Sequence, residues 1–118
     1  DEGRRLYRDG KHDQACKYFL EVIEEEPNHL EALYFLAVIA LNNKQFEKSF
    51  EYLSDILKHR TDYKKSVYLF MCIALKNLGK RAEAVLVASQ GIAIFREYFD
   101  LLIYRAKLYQ AIKYLTSH

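Results

Sequence analysis

Apolar residues recur along this chain at spacings of three and four, as in Ala15, Phe19, Val22 and Ile23, and again in Phe46, Phe50, Leu53, Ile56 and Leu57. That is the period of a helix lying on a core, where a strand would alternate. Turn-forming clusters interrupt the pattern at Asp9-Gly10-Lys11, Pro27-Asn28, Asn42-Asn43-Lys44, Arg60-Thr61-Asp62, Asn77-Leu78-Gly79 and Arg96-Glu97. The stretches between them hold about 14 to 17 residues each, and the pattern predicts about seven short helices. Pro27 closes one helix, and Asn28 followed three residues later by Glu31 has the form of a capping box for the next. Thr61 or Asp62 is expected to cap the fifth helix, and Gly79 to supply the left-handed residue that stops it.

The pattern also repeats. Leu33 to Asn43 aligns without gaps on Val67 to Asn77, an offset of 34, with identities at Tyr34/Tyr68, Ile39/Ile73, Ala40/Ala74, Leu41/Leu75 and Asn43/Asn77. The intervening helices follow, with Ala15 over Ser49, Tyr18 over Tyr52, Phe19 over Leu53 and Val22 over Ile56. One inserted residue near Leu78 is expected to shift the register to 35, setting Ala84 under Ser49, Leu102 under Val67 and Ala106 under Met71. A single domain, residues 1–118, then divides into a partial repeat 1–29, repeats 30–63 and 64–98, and a partial repeat or capping helix 99–118. Small residues at Ala15, Ala37, Ala40 and Ser49 let helices approach closely, while Phe19, Leu33, Leu53 and Val67 fill the spaces between them. No helix pair buries its apolar face alone, so stacking is what closes the core.

A 34-residue helix-turn-helix unit with these positions resembles the tetratricopeptide repeat, over essentially the whole chain. The first repeat supplies Gly10, Ala15, Phe19, Val22 and Pro27. The second supplies Leu33, Leu36, Ala37, Ala40, Phe46, Ser49, Leu53 and Ile56, with Thr61 where Pro is usual. The third gives Val67, Phe70, Met71, Ala74, Gly79, Ala84, Ala88 and Gly91, departing at Met71 where a small residue is expected. The fourth begins with Leu102, Arg105, Ala106 and Tyr109. The resemblance implies an all-α fold, an α-solenoid of stacked repeats in a right-handed superhelix, serving as a protein–protein interaction module or scaffold within a larger assembly.

In such a solenoid the first helix of each repeat lines a concave groove. The stripe expected there is Tyr34, Val38 and Leu41 in the second repeat, Tyr68, Cys72 and Leu75 in the third, and Ile103, Lys107 and Gln110 in the fourth, flanked by a column of Phe35, Leu69 and Tyr104. Glu31, Lys65 and Asp100 form a rim of alternating sign. An apolar, tyrosine-studded groove suits an amphipathic helix or extended peptide of a partner protein. The alternative is a structural segment whose groove is filled in cis, by self-association or by stacking on further repeats. One use of the family is to grip an acidic chaperone peptide through Lys, Asn and Arg on these helices. Lys65 fits the third-repeat Lys, but Phe35 and Leu69 stand where Asn and Arg are needed, which disfavours that use.

Composition narrows the chemistry further. A formal net charge of +2 gives no global field for gripping nucleic acid, although Lys58, His59, Arg60, Lys64 and Lys65 form one basic corner and Arg4, Arg5, Arg8 and Lys11 another. An RNA-binding helical repeat is the third reading. His12 and Cys16 share the four-residue spacing of helix-borne ligands, too few for a metal site, and no metal or other cofactor is expected. His29, His59 and His118 are expected as solvated side chains at turns or the terminus, and Glu24-Glu25-Glu26 as a solvated helix end. No nucleophile, base and acid fall in workable order, so no enzyme is expected. Cys16 and Cys72 read as buried thiols of a reducing compartment, and an intracellular, cytoplasmic protein is expected; the resemblance leaves an organelle or ciliary assembly open. The longest uncharged stretches, 32–43 and 84–95, are too short to span a membrane. No targeting peptide is read at the start, and the chain is expected to be part of something longer.

Overall fold

Each apolar stripe forms a helix: α1 (Glu2–Arg8), α2 (His12–Glu25), α3 (Leu30–Asn42), α4 (Phe46–His59), α5 (Ser66–Asn77), α6 (Arg81–Ile94) and α7 (Phe99–Ser117). The structure is a computed structural model that describes residues 1–117; His118 lies outside the described residues. Gly10 and Gly79 both take φ of +79°, and Lys44 stands at φ 60° in the turn between α3 and α4. The turn from first to second helix therefore has one left-handed residue in every complete hairpin, and the expected stop at Gly79 is found.

Two expected caps differ. The N-cap of α3 is His29, whose Nδ1 accepts from the Ala32 amide at 3.1 Å. Asn28 falls one residue too early. With His29 as cap, Glu31 falls at the second helical position and not the third that a capping box needs, and its carboxylate accepts instead from Arg4 Nε at 2.8 Å and from Arg4 Nη2. The N-cap of α5 is Lys65, with no side-chain cap bond. Thr61 instead offers its carbonyl to the Tyr68 hydroxyl at 2.7 Å, and Asp62 faces Arg60 at 3.3 Å.

Packing fixes the repeat register, and it differs from the sequence alignment. The buried residues of α3 are Ala32, Leu33, Leu36, Ala37, Ile39 and Ala40; those of α5 are Val67, Tyr68, Met71, Cys72, Ala74 and Leu75, a constant difference of 35. Ser49, Leu53 and Ile56 of α4 map on Ala84, Ala88 and Gly91 of α6 by the same 35. From α2 to α4 the difference is 34, with Ala15 and Phe19 under Ser49 and Leu53. From α5 to α7 it returns to 34, so Leu101 and Leu108 follow Val67 and Ala74, and Leu102 follows Tyr68 rather than Val67. The extra residue therefore lies in the connection 60–65 between α4 and α5, not near Leu78.

Helices stack in sequence, each against the next, with the α3 backbone also close to α5 and that of α5 to α7, while the backbones of α2, α4 and α6 stand apart from one another. First helices thus form the inner layer and second helices the outer one of an elongated body of 48 × 27 × 23 Å. The core is two clusters, one around Ala15, Phe19, Leu36 and Ile39, and a larger one from Leu33 to Leu108, with Ile23 and Tyr52 packed against both. Nothing of this core is spare at Gly91, whose added Cβ would lie 2.7 Å from Tyr68 Cβ and from Leu101 Cδ2. Gly91→Ala is expected to lower the unfolding free energy by about 1–3 kcal/mol in a urea titration, because the Tyr68 stem cannot swing aside. Gly79→Ala meets nothing within 4 Å and is expected to cost about 1 kcal/mol, from the positive φ alone.

Candidate functional site

The inner face is built from positions of α1, α3, α5 and α7 that the core leaves uncovered. Its centre is a run of rings. Tyr7 of α1 meets Phe35 edge-on at 5.2 Å, Phe35 meets Tyr34 at 6.0 Å, and Tyr34 meets Phe70 of α5 at 6.1 Å. Phe35 is anchored from beneath by Phe19, stacked at 5.1 Å with planes 2° apart. Tyr34 is held from the side, its hydroxyl 2.7 Å from Ser66 Oγ. These rings are half-buried, fixed by neighbours yet open on one side, the state in which an aromatic can serve as an anchor at little entropic cost.

The structure brings several expected residues to this face. Tyr34, Phe35, Val38 and Leu41 lie half-buried on α3, with Leu69 half-buried on α5. On α7, Tyr104 is half-buried, while Ile103, Lys107 and Asp100 are exposed. Burial pushes the Tyr104 phenol above its ordinary pKa, Cys72 adds to the rise, and Arg81 partly offsets it.

Tyr68, Cys72 and Leu75 do not belong there. They are 2%, 0% and 1% exposed and form part of the large core cluster. The cause is the 35-residue register: these three are the counterparts of Leu33, Ala37 and Ala40, which are core by necessity. The counterparts of Tyr34, Phe35 and Val38 are Leu69, Phe70 and Ile73, so Phe70 and Ile73 are the inner-face residues that the alignment missed. Lys65 is displaced for the same reason. Its ammonium sits 5.0 Å over the Tyr98 ring, and Ser66 takes the place between Glu31 and Asp100. The signal that would have found this is residue size: Cys72, not Met71, is the small residue that matches Ala37.

Charge is engaged locally at the end of the ring run. Lys64 Nζ lies 4.8 Å from the Tyr34 centroid and 5.7 Å from that of Tyr63, and Arg60 lies 5.9 Å over Tyr63. The basic corner is thus tied to aromatic faces. His12 stacks on Tyr7 at 4.7 Å. Among the described residues no three His, Cys, Asp or Glu side chains gather to hold a metal ion, and no helix is long and apolar enough to cross a membrane.

A family model described as tetratricopeptide repeat matches residues 6–71, more than half of the chain. No curated protein matches it in sequence. Solved structures do. MamA superposes with a TM-score of 0.88 at 19% identity, over 96% of this chain and 66% of that one. The first TPR of Spaghetti (RPAP3), bound to the HSP90 peptide SRMEEVD, gives 0.86 at 18% identity, over 95% of this chain and 88% of that one. TTC0263, a thermophilic TPR protein of Thermus thermophilus, gives 0.76 at 23% identity, over 94% of this chain and 62% of that one. The chain therefore spans about two thirds of MamA and somewhat less of TTC0263, and at these identities the likeness is one of fold.

Cys72 gives this face a titratable support. Its Sγ donates to the Ala84 carbonyl at 3.2 Å, and burial pushes its pKa up to about 12, while burial raises Cys16 as well. The folded state keeps the Cys72 proton where the unfolded chain has lost it, so this group's stabilisation is complete below the unfolded thiol pKa of 9.0 and disappears as pH climbs from there toward 12. The urea midpoint should fall between pH 8 and pH 10.5, and Cys72→Ala, the residue used at the equivalent Ala37, should flatten that fall. Ellman's reagent at pH 8 should label Cys16 well before Cys72; equal rates would contradict the burial.

Proposed function

The chain belongs to the tetratricopeptide repeat family, whose fold is that of a protein–protein interaction module, and we propose that its inner face takes a peptide or amphipathic helix of a partner protein. The observation that carries this is the continuity of the rings from Tyr7 through Phe35 and Tyr34 to Phe70 across three repeats. Val38, Leu41, Leu69, Ile73, Ile103 and Tyr104 extend it, giving apolar side chains of a partner a surface already ordered before binding. Asp100 and Lys107 on α7 set the register of the bound segment by charge, Glu31 being paired with Arg4.

The bound RPAP3 domain suggests one test of partner chemistry, since the peptide in that structure is rich in carboxylates. In the packing register the positions for clamp-type Lys, Asn and Arg hold Ser66, Phe35 and Phe70, so the single match at Lys65 disappears. An apolar segment fits this face and an acidic tail does not. A second reading is favoured by α7, where Phe99, Ile103, Tyr109 and Leu115 are each more than half exposed. A helix stacked there, from a further repeat or another copy, would make the chain a structural segment of a longer array.

Peptides selected from a displayed random library on the wild-type domain should be apolar and should bind Leu69→Glu about tenfold more weakly, with helix content unchanged by circular dichroism. SRMEEVD should bind no better than its scrambled form. Selected peptides indifferent to Leu69→Glu would place recognition elsewhere.

A further inference from the structure

The outer face carries two repeat-equivalent clefts, and they are not alike. Because the backbones of successive second helices stand apart, each adjacent pair leaves a trough floored by the first helix between them. Between α2 and α4 the floor is Leu36 and Ala40, and the trough, about 210 Å³, is occupied by Tyr52, half-buried against both core clusters. Between α4 and α6 the floor is Met71 and Leu75, the direct counterparts of Leu36 and Ala40. Here the cleft is about 490 Å³. Val87 stands where Tyr52 stood, and Leu86, 64% exposed, stands where the preceding repeat has the exposed Glu51. Phe50 and Leu57 complete the apolar walls. One repeat thus fills its trough with Tyr52 from the second wall; the next has Val87 there, carries its ring on the first wall as Phe50 in the place of Cys16, and sets Leu86 on the rim.

The charges at the ends of the open cleft give an occupant a direction. Successive helices are antiparallel, as the pairs Cys72 with Ala84 and Tyr68 with Gly91 require, so α4 and α6 are parallel. Lys58, at the last turn of α4, stands at one end of the cleft, and Glu83, in the first turn of α6, at the other. Glu83 makes no ion pair among the described residues, and Lys58 only a long one to Asp55 at 3.7 Å. A helix normally carries acidic residues in its first turn and basic ones in its last. Laid antiparallel to α4 and α6, such a helix sets its acidic end at Lys58 and its basic end at Glu83.

We propose that the cleft between α4 and α6 is a second docking site, on the opposite face from the inner rings, and that it takes an α-helix of a partner protein, acidic at its first turn and basic at its last, which inserts an aromatic side chain over Met71 where the preceding repeat supplies Tyr52. The inserted ring meets Phe50, Leu57, Leu86 and Val87. Complementarity comes from within the molecule, since the filled trough shows what the open one accepts.

Met71, the chain's one methionine, forms the floor, so a single labelled methyl resonance reports on this cleft, and the Leu69→Glu variant separates it from events at the inner face. The probe is a synthetic helix of about 16 residues, long enough to hold its shape, with glutamates in its first turn, a central Phe and Leu four apart, and lysines in its last turn. On the wild-type protein it should shift the Met71 methyl saturably. Replacing its Phe by Ala should weaken binding about tenfold, and exchanging its glutamates with its lysines about threefold. Leu86→Glu, at an exposed position, and Leu86→Glu with Val87→Tyr, which rebuilds the preceding repeat's trough, should each abolish the shift while Leu69→Glu leaves it intact. An unmoved Met71 resonance, equal binding of all peptides, or a shift that tracks protein concentration without peptide, assigning the cleft to a second copy, would each overturn the proposal.

Discussion

Everything in this solenoid hangs on how closely the two helices of a repeat can cross. The crossing is made at one small residue on each helix: Ala37 against Ser49 in one repeat and Cys72 against Ala84 in the next, all essentially without exposure. In the first, the Ser49 hydroxyl donates to the Ala37 carbonyl at 2.8 Å; in the second, the Cys72 thiol donates to the Ala84 carbonyl at 3.2 Å. The same contact is made with the donor moved to the other helix. A hydroxyl buried at such a point must find a partner, and the carbonyl of the facing residue serves without opening the pair. Larger side chains at these positions would push the helices apart and uncover the floors of both faces.

From that crossing the rest of the packing follows. Once Cys72 is fixed opposite Ala84, helical geometry commits Tyr68 and Leu75 to the core on the same side and leaves Leu69, Phe70 and Ile73 turned inward. The bulk of Tyr68 is then accommodated by Gly91, where any side chain would collide with its stem. Each repeat makes such local adjustments with its neighbours only, so stability is distributed along the stack, and one repeat can change its surface without consulting the next but one.

Much of this is legible in the sequence, because helix period, turn glycines and a repeat near 34 residues are local or self-similar signals. The register across the connection 60–65 is not. A gapless alignment rewards identities such as Tyr34 with Tyr68, whereas packing pairs residues by size and sets Ala37 with Cys72. A one-residue slip moves a side chain about 100° around a helix, enough to exchange Tyr68 for Leu69 and Cys72 for Ile73 on the inner face. The cap at His29 is hidden for another reason: an imidazole nitrogen is not among the usual caps, and Asn28 with Glu31 offers a standard motif one residue too early. Lys65 is a rim charge only in the 34-residue alignment; in the packing register Ser66 stands there and Lys65 lies over the Tyr98 ring.

The two faces answer different questions about the same repeat. At the crossing, residue size is dictated, and the repeats agree. Nothing in the crossing dictates Tyr34, Leu69 and Ile103, or Phe35, Phe70 and Tyr104, yet these two columns stay large and apolar in three successive repeats, whereas Val38 and Ile73 give way to Lys107, and Leu41 to Lys76. Tyr34, Leu69, Phe70 and Tyr104 pack against the larger core cluster and Phe35 against the smaller one, so their apolarity serves the stack as well as the face they line. On the outer face the reverse holds: Glu51 and Tyr52 give way to Leu86 and Val87, so the repeats disagree at positions that the fold leaves equivalent. Agreement in two inner columns and divergence on the outer side follow from the same cause: the crossing fixes the small residues and leaves each repeat to settle its surface with its neighbours alone.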